Sequence, residues 1–141
     1  SSCTHLKALD LYNITLHDGI HDLSRLTNLN CFRMHFVTMS SECSESLCRS
    51  ISNCTHLETL DLNDIKLHNT ILDLSRLTNL TSLGLWNLTM SSECSESLCR
   101  NISNCTHLVI LILGQITLHD SVLDLSRLTN LIDLSLFSVH M

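Results

Sequence analysis

Leu57-Glu58-Thr59-Leu60-Asp61-Leu62-Asn63-Asp64-Ile65-Lys66-Leu67 reads L-x-x-L-x-L-x-x-I-x-L. Its opening, L-x-x-(apolar)-x-(apolar), recurs from Leu6, Leu29, Leu57, Leu80, Leu108 and Leu131, with starts 23, 28, 23, 28 and 23 residues apart. Self-similarity at such a period is the signature of a solenoid. Successive side chains of a strand point to opposite faces, so the alternating apolar residues of each unit predict one short strand with an inward face. A unit of this length cannot bury that face alone, so neighbouring units must stack.

The true repeat is a double unit of 51 residues. Cys3-Thr4-His5-Leu6 returns at Cys54 and Cys105, and Asp22-Leu23-Ser24-Arg25-Leu26-Thr27-Asn28-Leu29 returns unchanged at 73–80 and 124–131. Residues 40–49 are identical to 91–100. The short half returns through a D-L-S-R-L-T-N segment with room for at most a turn or two of helix. The long half returns through Ser91-Ser92-Glu93-Cys94-Ser95-Glu96-Ser97-Leu98-Cys99-Arg100-Asn101-Ile102. Serines before an acidic first turn are a helix start signal. Cys94, Leu98 and Ile102, with Cys99 beside them, form one apolar stripe. A curved stack follows, with crowded strands inside and helices outside.

Hydrophobic residues make up 44% of the 141 residues, yet only 4% are aromatic and there is no proline, so the core must be aliphatic. The net charge is −6, and the eight Lys and Arg form no stripe, which argues against nucleic acid. The longest apolar run, residues 108–113, falls far short of the ~20 residues of a membrane helix, so no membrane insertion is expected. No targeting or lipidation signal is recognisable. The pattern begins and ends mid-repeat, so residues 1–141 read as one domain cut from a longer array. Uncapped ends predict marginal stability or self-association through an end.

The three internal copies can be compared over 37 columns starting at Cys3, Cys54 and Cys105. Ten columns are the x positions of the two strands, which face away from the core, and all ten vary; the other 27 vary in nine, four of them by apolar exchange. Neutral drift at exposed sites is one reading. The other is a recognition surface of diversified residues on a constant frame. The expected binding residues on the concave face are Tyr12, Arg33, His35, Asp61, Asn63, Trp86, Ile112 and Phe137, and bulky members of this set are the types that dominate interface energetics. With strands in register, Tyr12, His35, Trp86 and Phe137 would share one row. Trp86 stands first among them. The third copy's face, with Val109, Ile110, Ile112 and Ile132, is unusually apolar.

Eight cysteines invite disulfides or zinc. Equivalent cysteines two repeats apart are roughly 10 Å apart, beyond the ~7 Å a disulfide spans. Five residues apart on a helix, Cys94 and Cys99 point ~140° apart. The histidine ladders cannot share one ion across copies at ~2.0–2.1 Å. Buried reduced thiols are the expected state, which suggests a reducing, cytoplasmic compartment. Cys31, on the variable face, reads as a reactive exposed thiol. Against the cytoplasm stand six sequons, at Asn13, Asn53, Asn79, Asn87, Asn101 and Asn104, and one feasible pairing, Cys48–Cys54 with Cys99–Cys105. A secreted protein therefore remains open. No phosphate loop or nucleophile–base set is present, and Asp10 and Asp61 are too far apart to work as a pair. No enzyme activity, metal or cofactor is expected.

The L-x-x-L-x-L units identify a leucine-rich repeat solenoid of six repeats, an α/β architecture with a parallel concave sheet and alternating short-turn and helical convex returns. The alternation of a helical 28-residue unit with a short L-S-R-L-T-N-L unit resembles the C-terminal leucine-rich repeat region of NOD-like receptors. That resemblance implies an innate-immune sensor module that binds a protein or microbial ligand in the cytosol. The competing readings are a structural or adaptor array, such as a ubiquitin-ligase substrate receptor, and a secreted recognition protein.

Overall fold

The computed structural model describes residues 5–16 and 27–141. Cys3, His17, Gly19 and residues 22–25 of the first return lie outside them. The elements run β1 (Ala8–Leu16), β2 (Cys31–Met39), α1 (Ser41–Ser52), β3 (Thr59–His68), β4 (Ser82–Met90), α2 (Ser92–Ser103), β5 (Ile110–Thr117) and β6 (Asp133–His140). The six strands form one sheet in chain order, every neighbouring pair parallel. This is a leucine-rich repeat solenoid, with a helical return after β2 and β4 and a turn-only return after β3 and β5.

The core is one continuous aliphatic seam. In β3, Leu60, Leu62, Ile65 and Leu67 are buried; in β4, Leu83, Leu85, Leu88 and Met90 are. The helices close it with Cys43, Leu47, Cys48 and Ile51 from α1, and Cys94, Leu98, Cys99 and Ile102 from α2. Each helix starts where the serines predict. Ser40 and Ser91 are N-caps whose hydroxyls accept the backbone N–H of Cys43 and Cys94 at 3.2 and 3.3 Å. Glu42 and Glu93 lie in the first turn and Arg49 and Arg100 in the last, both favourable to the helix dipole.

One feature departs from the sequence reading. The strands are not confined to the short L-x-x-L-x-L stretch; each spans eight to ten residues. At the same place in each, Asn13, Phe36, Asp64, Asn87, Gln115 and Ser138 adopt left-handed backbone with φ of 46 to 56°. Strict alternation would turn these residues inward. The left-handed residue absorbs one step and resets the phase, so Ile14, Val37, Ile65, Leu88, Ile116 and Val139 point back to the core. The apolar spacing L-x-L-x-x-I, which no flat strand would bury, is thereby satisfied.

The constant exposed residues tie each repeat to the one before it. Asp73 and Asp124 accept the backbone N–H of Ser75 and Ser126 at 2.9 and 3.0 Å, a side-chain-mimicked turn. Those bonds, with the serine hydroxyls next, hold both carboxyls below the usual carboxylate range. Arg76 and Arg127 each donate to Asn53 and Asn104 Oδ1 at 2.6 Å. Asn79 and Asn130 each reach Thr55 and Thr106 carbonyls at 3.4 Å. In the interior, Ser44 and Ser95 hydroxyls donate to Leu67 and Leu118 carbonyls at 3.0 Å. His68 and His119 ring nitrogens lie 3.2 and 3.1 Å from the Met39 and Met90 carbonyls. The identity of the exposed loops thus has a structural cause, and by itself says nothing about recognition on the opposite face.

Candidate functional site

The strand register lays the variable residues in straight rows across the open face. One row is Tyr12, His35, Asn63, Trp86, Gly114 and Phe137, each opposite the next. The adjacent row is Asp10, Arg33, Asp61, Gly84, Ile112 and Ser135. All eight expected binding residues therefore fall on two neighbouring rows. The predicted alignment of Tyr12, His35, Trp86 and Phe137 is the observed one.

Within the rows the side chains contact each other in a definite order. The Tyr12 and His35 rings lie 4.8 Å apart at 49°, and His35 Nε2 is 3.1 Å from Asp61 Oδ2. Arg33 Nη1 lies 3.7 Å from Asp10 Oδ1, an exposed pair of small energetic weight. At the other end the Trp86 and Phe137 rings lie 5.6 Å apart, also tilted at 49°. Such tilted aromatic pairs contribute about 0.5–1.5 kcal/mol beyond their burial. Tyr12 and Phe137 remain about half exposed, at 51% and 53%.

Two glycines make this arrangement possible, a role invisible in the sequence. A Cβ on Gly114 would lie 2.0 Å from Trp86 Cε3, so the indole lies directly on that glycine, between β4 and Phe137. Gly114 is accordingly buried beneath the indole and is not a contact position, although it occupies a variable column. A Cβ on Gly84 would lie 2.9 Å from Asp61 Oδ1, so the carboxylate leans over that gap. Among the described residues one buried side-chain polar atom has no hydrogen-bond partner: Asn63 Oδ1, in the middle of the aromatic row.

Phe36 is a second feature that sequence reasoning missed. It is 59% exposed and holds φ at 56°, where Asn13 and Asn87 stand in equivalent strands. A bulky side chain in that region costs roughly 1–2 kcal/mol, whereas asparagine tolerates it. Phe36→Asn is expected to stabilise the chain by about 0.5–1 kcal/mol in urea denaturation; destabilisation would mean that the exposed ring contributes packing.

Among the described residues, Cys43, Cys48, Cys54, Cys94 and Cys99 are buried in the core. Burial pushes the Cys48 thiol up to about 12 and Cys105 up to about 11. Cys105 Sγ donates to the Asn101 carbonyl at 3.2 Å, Cys54 Sγ to Ser50 at 3.3 Å and Cys94 Sγ to Thr70 at 2.9 Å. Cys48, Cys99 and Cys105 are unbridged, so the feasible pairings across the helix-to-strand turn are not made here. Cys31 corrects the expectation of a reactive thiol. It is half-buried rather than exposed, and burial raises its pKa against the opposing pull of Arg33. Among the described residues no group of three or more His, Cys, Asp or Glu is placed to hold a metal ion, and no helix is long and apolar enough to cross a membrane.

No protein-family model matches the chain, and no curated protein matches it. Among solved structures it is similar to an internalin (InlF) from Listeria monocytogenes strain 4b F2365, at 18% sequence identity and a TM-score of 0.37. The match covers 93% of this chain and 48% of the internalin, so the chain spans about half the length of that protein.

Proposed function

We propose that this chain is a protein-recognition module that binds its partner across the open face of the sheet. The observation that carries the reading is the row of Tyr12, His35, Asn63, Trp86 and Phe137, variable in every copy and aligned on a frame held by repeated inter-repeat bonds. Phe36, 59% exposed beside that row, adds a further aromatic side chain to the face. Ligands selected against the full chain are expected to lose more than about 1 kcal/mol of binding energy in Trp86→Ala and in Tyr12→Ala, with unchanged circular dichroism. Unchanged affinity in both variants removes the open-face reading.

The finer reading is a cytoplasmic sensor of the NOD-like receptor type for a protein or microbial ligand. The 23/28 alternation and the buried thiols with raised pKa values support it. The compartment is tested by counting free thiols in denatured, unreduced protein from its native source. Eight support the cytoplasm. Four, with Cys48–Cys54 and Cys99–Cys105 bridged, would place the protein outside the cell, turn the six sequons into glycan sites and end the receptor reading.

A further inference from the structure

We propose that the centre of the open face is a subsite for a cationic side chain of an extended protein segment, and that a large apolar side chain of the same segment lies on the Trp86–Phe137 shelf. This names the ligand class of the recognition face and rests on that reading. Asn63 Oδ1 is buried and no donor of the described residues reaches it, a rare state for a buried acceptor and one that calls for a partner. Asp61 stands two residues before it on the same face of β3 and leans its carboxylate over Gly84, with His35 on the far oxygen. The two side chains place a neutral and a charged acceptor in adjacent rows of the open face. The cationic groups that complete such a pair without adding a second acceptor are the ammonium of lysine and the guanidinium of arginine, whose charge also answers the Asp61 carboxylate.

The charge of the face selects the same partner. The variable columns carry Asp10, Glu58, Asp61, Asp64 and Asp133 against Lys7 and Arg33, and the whole chain is at −6. Arg33 is turned to Asp10 on β1, so among the described residues Asp61 faces His35 and no arginine. The aromatic shelf begins one strand beyond Asn63 and is centred on Gly114, two strands away, or about 10 Å. That distance is about three residues of extended or polyproline chain at about 3.1–3.3 Å each. The expected motif is therefore a basic residue followed or preceded, about three residues away, by a large apolar one. Lying across the strands, it would be held by side chains and not by adding a strand to the sheet.

The test uses the full chain and three synthetic octapeptides on a Ser/Thr background. One carries arginine and phenylalanine three residues apart, one glutamate and phenylalanine, and one arginine and serine. Trp86 is the only tryptophan, so its emission reports occupancy of the shelf, and calorimetry gives the affinity. The arginine–phenylalanine peptide is expected to bind at least tenfold tighter than either control and to shift the emission. Asn63→Leu should weaken it at least tenfold, and Asn63→Asp should preserve or tighten it. Equal binding of the glutamate peptide, indifference to Asn63→Leu, or no binding of any peptide overturns the proposal. A charge-blind emission shift would discard the ligand class and keep the recognition face. Binding that ignores Trp86→Ala and Tyr12→Ala as well would discard both.

Discussion

Leu85→Ala is expected to lower the unfolding free energy by about 2–5 kcal/mol, while Leu136→Ala, at the same repeat position in β6, costs only about 1 kcal/mol. The two leucines differ in neighbours and not in local sequence role. Leu85 has zero exposure, enclosed between Leu62 of β3 and Leu113 of β5, its register partners, whereas Leu136 is 44% exposed with β5 as its single neighbouring strand. In a solenoid the stability of a repeat is a nearest-neighbour quantity, so the truncation removes contacts from both sides in one case and from one side in the other. Urea denaturation followed by circular dichroism reads both values on the same chain. Equal costs would contradict burial by stacking as the source of stability.

Gly114→Ala is expected to evict the indole of Trp86 from the sheet. The added carbon would lie 2.0 Å from Cε3 and 2.2 Å from Cζ3, distances no side chain accepts, and the rigid ring has no flexible end to move aside. The tryptophan must change rotamer, leave Phe137 and enter solvent, at a cost of about 1–3 kcal/mol for overpacking and the lost ring pair. The emission of this single tryptophan should shift to the red, and any ligand that uses the shelf should bind less well. Gly84→Ala is the matched control. Its carbon would meet Asp61 Oδ1 at 2.9 Å, a mobile carboxylate that can swing away, so the tryptophan signal should stay where it is. An unchanged emission spectrum in Gly114→Ala would show that the indole does not rest on the glycine.

The spacing of leucine in 57–67 and its five relatives was enough to specify six parallel strands, their order and the helices after the second and fourth. These are local properties: a period of two for a strand, a period of 3.6 for a helix, and serine before an acidic turn for its start. The row of Tyr12, His35, Trp86 and Phe137 was legible for the same reason, because identical repeats stack in register. Tertiary structure alone decided how the side chains lean. Trp86 covering Gly114, Asp61 covering Gly84 and Arg76 reaching Asn53 all involve contacts between adjacent strands or returns 23 or 28 residues apart, and the donor-less oxygen of Asn63 sits among them. No local pattern encodes them, since each depends on the rotamer one repeat adopts against the backbone of the next. The left-handed step at Asn13, Phe36, Asp64, Asn87, Gln115 and Ser138 belongs to the same class. Three of the six are Asn or Asp, which tolerate that region, but Phe36, Gln115 and Ser138 do not share this signature, and the burial of the aliphatic residue that follows forces all six into one conformation.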